Sequence, residues 1–234
     1  MTALAGAGLA LLVGCSEDSP PPPVEFGAAK PAGDRLGLTP PAGASLPLAQ
    51  WPDGCKLLTD AEVTAILPQA ENVEREPVKV TILNFDPLSE AAPGTTGDVP
   101  SGGCKFTFDL PGNSGGASSA TVTVTALADA SLTAQKYDED KQDDSSEKGF
   151  KDLNSSWGAE SCYLFEGPIG AEITCRQGPY VFELDGSSHA EGLAPNPGPD
   201  AKPSENLAAA AKREQVWTDK VLSQVARTVA ARMS

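Results

Sequence analysis

From Trp51 onward the apolar residues repeat at two periods. Val78, Val80 and Ile82 alternate with Lys79 and Thr81, which predicts a strand with one wet face. Cys104, Phe106, Phe108 and Leu110 alternate with Lys105, Thr107 and Asp109, and a third strand follows in which Val122 and Val124 alternate with threonines. The Gly/Ser stretch between them, from Pro111 to Ser119, predicts that the two pair as a hairpin. Helical spacing is found elsewhere. Thr59 and Glu62 form a capping box ahead of Val63, Ile66 and Leu67, and Pro68 ends that short helix. Asp129 to Gln142 reads as a second helix carrying Leu132 and Tyr137. Cys162–Glu166, Glu172–Arg176 and Tyr180–Asp185 read as a three-strand meander, antiparallel because its connections are too short for a crossover. Leu207, Ala211, Trp217, Val221, Val225 and Val229 are read as one stripe of a long helix from Glu205 to Met233. The stretches 85–103 and 186–203 are read as long loops. About six strands with three helices predict an α+β architecture, an antiparallel sheet covered by helices.

Composition narrows the function classes. With 17 Lys+Arg against 32 Asp+Glu the chain carries a formal charge of −15, which disfavours a sequence-independent grip on nucleic acid or on anionic lipid. One His excludes a His-rich metal site, and 23 Gly with 21 Pro put much of the chain in loop or linker.

The N-terminus carries an address. Ala3–Val13 is an uncharged apolar run of signal-peptide length, too short to span a bilayer. It ends in Leu12, Val13, Gly14 and Cys15, which resembles the lipobox of bacterial lipoproteins and implies Cys15 as the lipidated residue; acylation there would tether the mature chain to a membrane without crossing it. The run departs from the usual pattern in having no Lys or Arg before Ala3. Residues 16–50 hold eight Pro and no periodic apolar pattern, so they read as an unpacked spacer of up to about 110 Å if fully extended as polyproline. The expected organisation is a lipoprotein signal peptide at 1–14, a lipid-anchored linker at 15–50 and an extracytoplasmic domain at 51–234.

Four cysteines then remain, at 55, 104, 162 and 175, an even number in an exported chain that reads as two disulfides. Gly167–Gly170 marks a turn about Pro168-Ile169 centred between Cys162 and Cys175, so those two face each other and Cys55 pairs with Cys104. With no CxxC spacing and no partner His, neither a metal site nor a redox pair is expected.

Several segments resemble a large actinobacterial lipoprotein family of uncharacterised function. Pro52–Val63 is similar to its opening Cys-x-Leu-Leu and helix. Gly103-Cys104 before an aromatic strand, Gly158–Tyr163 and Arg176–Phe182 are similar to its later strands. The resemblance spans about 52–233 and implies a layout shared with extracytoplasmic sensor domains, which hold a cleft between sheet and helices; it lends no catalytic residues.

No nucleophile–base pair, phosphate loop or dinucleotide fingerprint is visible, and no cofactor is expected. His189 lies near Ser187, Ser188 and Glu191, but on one Gly-rich loop, where a triad's members cannot orient one another from separate rigid elements. The acidic run Asp138–Asp144 lacks the Gly and terminal Glu of a calcium loop and reads as a solvated face. The chain therefore reads as a non-enzymatic ligand-binding or sensing lipoprotein. Its expected partners are the membrane through Cys15 and either a small-molecule or lipid ligand or an envelope protein. Tyr163, Phe165 and Trp217 are the candidate lining of a site beneath the final helix. The alternative is a structural or protein-interaction lipoprotein whose acidic surface meets a basic partner.

Overall fold

The structure is a computed structural model, and it describes residues 21–83, 96–113, 116–167, 170–194, 197–198 and 200–234. The signal peptide, Cys15 and the Pro168-Ile169 turn lie outside the described residues. Seven strands form one antiparallel sheet: β1 (Glu71–Leu83), β2 (Thr96–Asp109), β3 (Ser118–Leu127), β4 (Lys151–Asn154), β5 (Ser161–Gly167), β6 (Gly170–Gln177) and β7 (Tyr180–Ser187), in the spatial order β1-β2-β3-β7-β6-β5-β4. Four helices accompany them: α1 (Asp60–Ile66), α2 (Ala130–Asp144), α3 (Pro203–Trp217) and α4 (Ser223–Met233). The class is α+β, as expected, with seven strands where about six were expected.

The extra strand is β4, whose Lys151–Asn154 carries one half-buried apolar residue and therefore no alternation to read. It is short, charged and at the sheet edge, which blunts further pairing. The loop expected at 85–103 is strand from Thr96 onward. Pro100 sits there inside a register shift, where Val78 pairs with Gly103 but Val80 pairs with Val99, so its missing N–H removes no ladder bond. Pro77 is tolerated because β1 is an edge strand.

One face of the sheet carries Phe106, Phe108, Val122, Val124, Ile173, Phe182 and Leu184, all buried, and is covered by α1, α4 and the turn that leads into α4. The capping box forms as read: the Thr59 hydroxyl accepts from Glu62 N–H, and Glu62 accepts from Thr59 N–H at 2.8 Å. On the other face α2 packs over β6 and β7, and Tyr137 meets Tyr163 of β5, Val181 of β7 and Ala126 of β3.

Both disulfides are present. Cys55 is bonded to Cys104 with Cα atoms 4.8 Å apart, and Cys162 to Cys175, which face each other in register on β5 and β6. Each partner of the first bridge follows a glycine. The backbones meet there so closely that a Cβ on Gly54 would lie 2.5 Å from the Gly103 carbonyl carbon.

Two expectations are corrected. The first concerns 16–50, whose described part, 21–50, is not a free spacer but a strap seated on the domain. Val24 and Leu46 are buried, and Phe26, Leu36, Leu38 and Leu48 pack against the core. The strap's backbone is held as well: Gly27 N–H donates to Ile66 O at 2.9 Å, Leu36 N–H to Arg232 O at 2.8 Å and Leu46 N–H to Leu127 O at 2.9 Å. Under it lies a buried ion pair. Arg232 Nη2 donates to Glu62 Oε2 at 2.7 Å, with the side chains 6% and 1% exposed. Arg232 Nη1 donates to Lys56 O at 2.9 Å, and the strap's Ala32 N–H reaches Glu62 Oε1 at 2.9 Å. One layer of chain thus seals the pair from water. Burial pushes the Glu62 carboxyl up, but hydrogen bonds from Ala32, Thr59 and Arg232 outweigh it and hold the group below its ordinary 4.5.

The second correction concerns the final helix. It runs 31 residues, but a π turn at Thr218–Leu222 interrupts it and its stripe is broken. Trp217, Val221, Val225 and Val229 are buried, whereas Leu207 is 72% exposed and Ala211 is exposed too. The six-residue step from Ala211 to Trp217 rotates a helix by about 600° at 100° per residue, which leaves the two residues roughly 120° apart. The i, i+4 steps after Trp217 would drift about 40° each, and the wider π turn takes that drift back.

Candidate functional site

The concave feature of the described residues that gathers the most ionisable groups lies on the α2 face of the sheet, not beneath the final helix. It is a cleft of about 390 Å³ between α2 and β5–β7, walled by Lys136, Asp140, Asp143 and Asp144 from the helix and floored by Tyr163, Phe165, Glu172, Thr174, Glu183 and Asp185. The helix is placed by its own ends and by aromatic packing. Asp129 caps it by accepting from Ser131 N–H at 3.0 Å, and Tyr137 packs on Tyr163 with ring centroids 5.4 Å apart. The Tyr163 hydroxyl donates to Asp144 Oδ2 at 2.8 Å, and Tyr137 shares a 2.9 Å hydrogen bond with Ser161. Strand alternation does the rest, because Glu183 and Asp185 are two residues apart on β7 and so share the α2 face.

Six carboxylates therefore look into one cleft, and a single cation, Lys136, answers them through an ion pair with Asp140. Glu183 is exposed to solvent at the cleft mouth, while the protein that lines the cleft crowds it from the α2 side. That crowding pushes its carboxyl up to about 7, and the charges of Asp140 and Glu172 add to the effect. Asp185 and Glu172 are raised as well, both mainly by burial, with the Thr121 hydroxyl partly offsetting the rise at Asp185 and the Asp185 charge adding to it at Glu172. Burial also raises Tyr137, to about 12, and Tyr163 further, so both phenols stay protonated hydrogen-bond donors at any ordinary pH.

These shifts set a pH dependence with a definite sign. A carboxyl raised in the folded state binds more protons folded than unfolded, so stability is greatest below its ordinary 4.5 and falls as pH climbs toward 7. Removing the charge should relieve that loss. Glu183→Gln is expected to raise the melting temperature by about 2–4 °C at pH 7.5, corresponding to about 1 kcal/mol after screening by solvent at the mouth, and to change nothing at pH 4.5. Differential scanning calorimetry at the two pH values checks this, and equal shifts at both would refute it.

The expected lining residues do not converge. Tyr163 and Phe165 stand in the acidic cleft, while Trp217 lies on the opposite face of the sheet, beside a hollow of about 160 Å³ with Ser187, Ser188, His189, Arg213 and Glu214. Tyr163 and Trp217 are each 1% exposed, so packing is their main role. Ser188 shares a 2.7 Å hydrogen bond with Ser118 and accepts from Ala190 N–H, and its hydroxyl is spent on bracing the loop. Of the acidic run, Asp138, Glu139 and Asp143 are exposed, in keeping with a solvated face, while Asp140 and Asp144 are half-buried on the cleft wall. Among the described residues no group of three or more His, Cys, Asp or Glu is placed to hold a metal ion, and no helix is long and apolar enough to cross a membrane. Neither the sequence pattern nor helix periodicity could join these carboxylates, since they come from α2, β6 and β7 and meet only when the helix folds onto the sheet.

Comparison with known proteins finds no matching family model, no matching curated protein and no matching solved structure.

Proposed function

We propose that the chain is an extracytoplasmic lipoprotein, anchored through Cys15, whose domain binds a positively charged ligand in the acidic cleft without transforming it. The carrying observation is the cleft itself, where six carboxylates face one lysine beside the half-buried ring of Phe165. Such a surface favours a primary amine or guanidinium with a short apolar body, since the charge is met by Asp and Glu and the body by an aromatic face. Export is supported by the two disulfides, which persist in oxidising compartments. The lipobox-like Leu12–Cys15 supports the anchor, and the similarity of Pro52–Val63 to actinobacterial lipoproteins agrees with it. The protein-interaction reading draws on the same cleft, whose carboxylates would equally take a Lys- or Arg-rich segment.

Titration of the oxidised protein with spermidine, and separately with an oligo-arginine peptide, distinguishes the two. Saturable spermidine binding that Glu183→Gln with Asp185→Asn weakens at least tenfold supports a small-ligand site. Binding of the peptide alone supports the partner reading, and binding of neither at low salt removes both. Cys15→Ala should move the protein from the membrane fraction to the soluble one, and retention on membranes would refute the anchor.

A further inference from the structure

The first described residue and the most exposed helix lie at the same end of the sheet. Pro21 packs beside the β2–β3 connection, where a Cβ on Gly112 would fall 2.6 Å from the Pro21 Cβ. Gly112 O accepts from Glu191 N–H at 3.0 Å, Asn113 bridges Ala190, and Gly192 O accepts from Val24 N–H at 3.1 Å. α3 packs on the same turn, Glu191–Leu193, before its last residue, Trp217, reaches Phe108. Trp217 is the one buried residue of α3, and Leu207, Ala208 and Ala211 form an exposed apolar stripe near its start.

We propose that this end of the domain faces the bilayer that holds the Cys15 acyl chains, and that the Leu207 stripe of α3 touches it. The inference rests on the lipid-anchor reading above. Given that reading, covalent geometry leaves little choice. Six residue steps separate Cys15 from Pro21, and at roughly 3.3–3.6 Å each they reach at most about 20 Å. The 30 residues from 21 to 50 are seated on the domain and add nothing to that reach. The opposite end of the sheet, where Ser155 follows β4 and Gly178 follows β6, stands about 25 Å further off, the length of an eight-residue strand.

Charge agrees with this placement. In a chain of net −15, α3 and its cap carry Lys202, Lys212 and Arg213 against Glu205 and Glu214, so anionic lipid does not repel this segment. The tether also changes what strength the contact needs. A stripe of one leucine and two alanines would not hold a free protein at a membrane, but a short linker keeps it there at an effective concentration on the order of millimolar.

The test uses the full chain, purified from membranes and reconstituted into phosphatidylglycerol–phosphatidylethanolamine vesicles that carry a lipid-borne quencher. A dye is placed at Leu207→Cys or, separately, at Ser155→Cys. The proposal expects emission at 207 to be quenched several-fold more than at 155, and expects 30 Gly/Ser residues inserted before Pro21 to erase the difference. Equal quenching at both positions of a protein that remains membrane-bound through Cys15 overturns the orientation alone. Concentration-dependent self-association with a shielded Leu207 assigns the stripe to a second copy of the chain. Recovery of wild-type protein in the soluble fraction, or of Cys15→Ala on membranes, overturns the anchor reading instead.

Discussion

Replacing Arg232 with alanine is expected to lower the melting temperature by roughly 10 °C, the largest effect of any single side chain in this protein. The substitution leaves Glu62, 1% exposed, as an unpaired buried charge, and breaking such a pair costs about 3–5 kcal/mol, or about 2–4 °C per kcal/mol in a chain of this size. It also removes what the strap rests on, because Gly33 lies so close to the Arg232 guanidinium that no Cβ would fit. Limited proteolysis should therefore cut the variant between residues 21 and 50 faster than the wild type. Glu62 gives the effect a pH signature. Its folded carboxyl is held below the ordinary 4.5, so the stability it contributes is present above that value and is lost as pH falls through the folded pKa. Without Arg232 that loss should begin at higher pH. Arg232→Met combined with Glu62→Leu should recover much of the melting temperature, since an apolar pair of similar volume leaves no charge stranded. A melting temperature within two or three degrees of wild type for Arg232→Ala would show that the pair is not buried as described.

The second large effect belongs to the bridge between Cys55 and Cys104. Its two ends are 49 residues apart in sequence and those of the Cys162–Cys175 bridge 13 apart, so on the chain-entropy argument the first stabilises by about 4 kcal/mol and the second by about 3. Cys55→Ser with Cys104→Ser should cost roughly 8–16 °C, and the hairpin pair somewhat less. The long bridge fastens the turn that precedes α1 to β2, across sheet and helix layers, whereas the short one joins neighbouring strands already held by their ladder. Thermal melts of the two double variants decide the order, and a larger loss from the hairpin pair would contradict it.

What was legible in the sequence was whatever repeats. Phe106 and Phe108, Val122 and Val124, and Ile173 and Cys175 announce their strands because a sheet buries every second residue. The Thr59–Glu62 box and the even cysteine count are local signals with a single meaning. The strap was illegible for the converse reason. Val24, Phe26, Leu36, Leu38, Leu46 and Leu48 dock one by one into separate recesses with no ladder or helix behind them, so their spacing obeys no period. Glu71–Arg75, the start of β1, holds one apolar residue, Val73, packed against the core among polar neighbours, so no alternation announces it. The cleft was half visible, since composition announced the carboxylates and only the docking of α2 on β5–β7 brings them together.

The strap also fixes when the molecule can be finished. Ala29 N–H donates to the Gln224 side chain across 195 residues, and Leu36 is held by the carbonyl of Arg232. An early segment of the chain is thus seated on a helix made some 195 residues later. Contacts of such sequence separation are slow to find, and here they cannot form before α4 has been synthesised. A nascent chain accordingly carries residues 21–50 unseated until α4 emerges. Loss of the last turn of α4 would release residues 21–50 to proteases, so that turn is what keeps the strap closed.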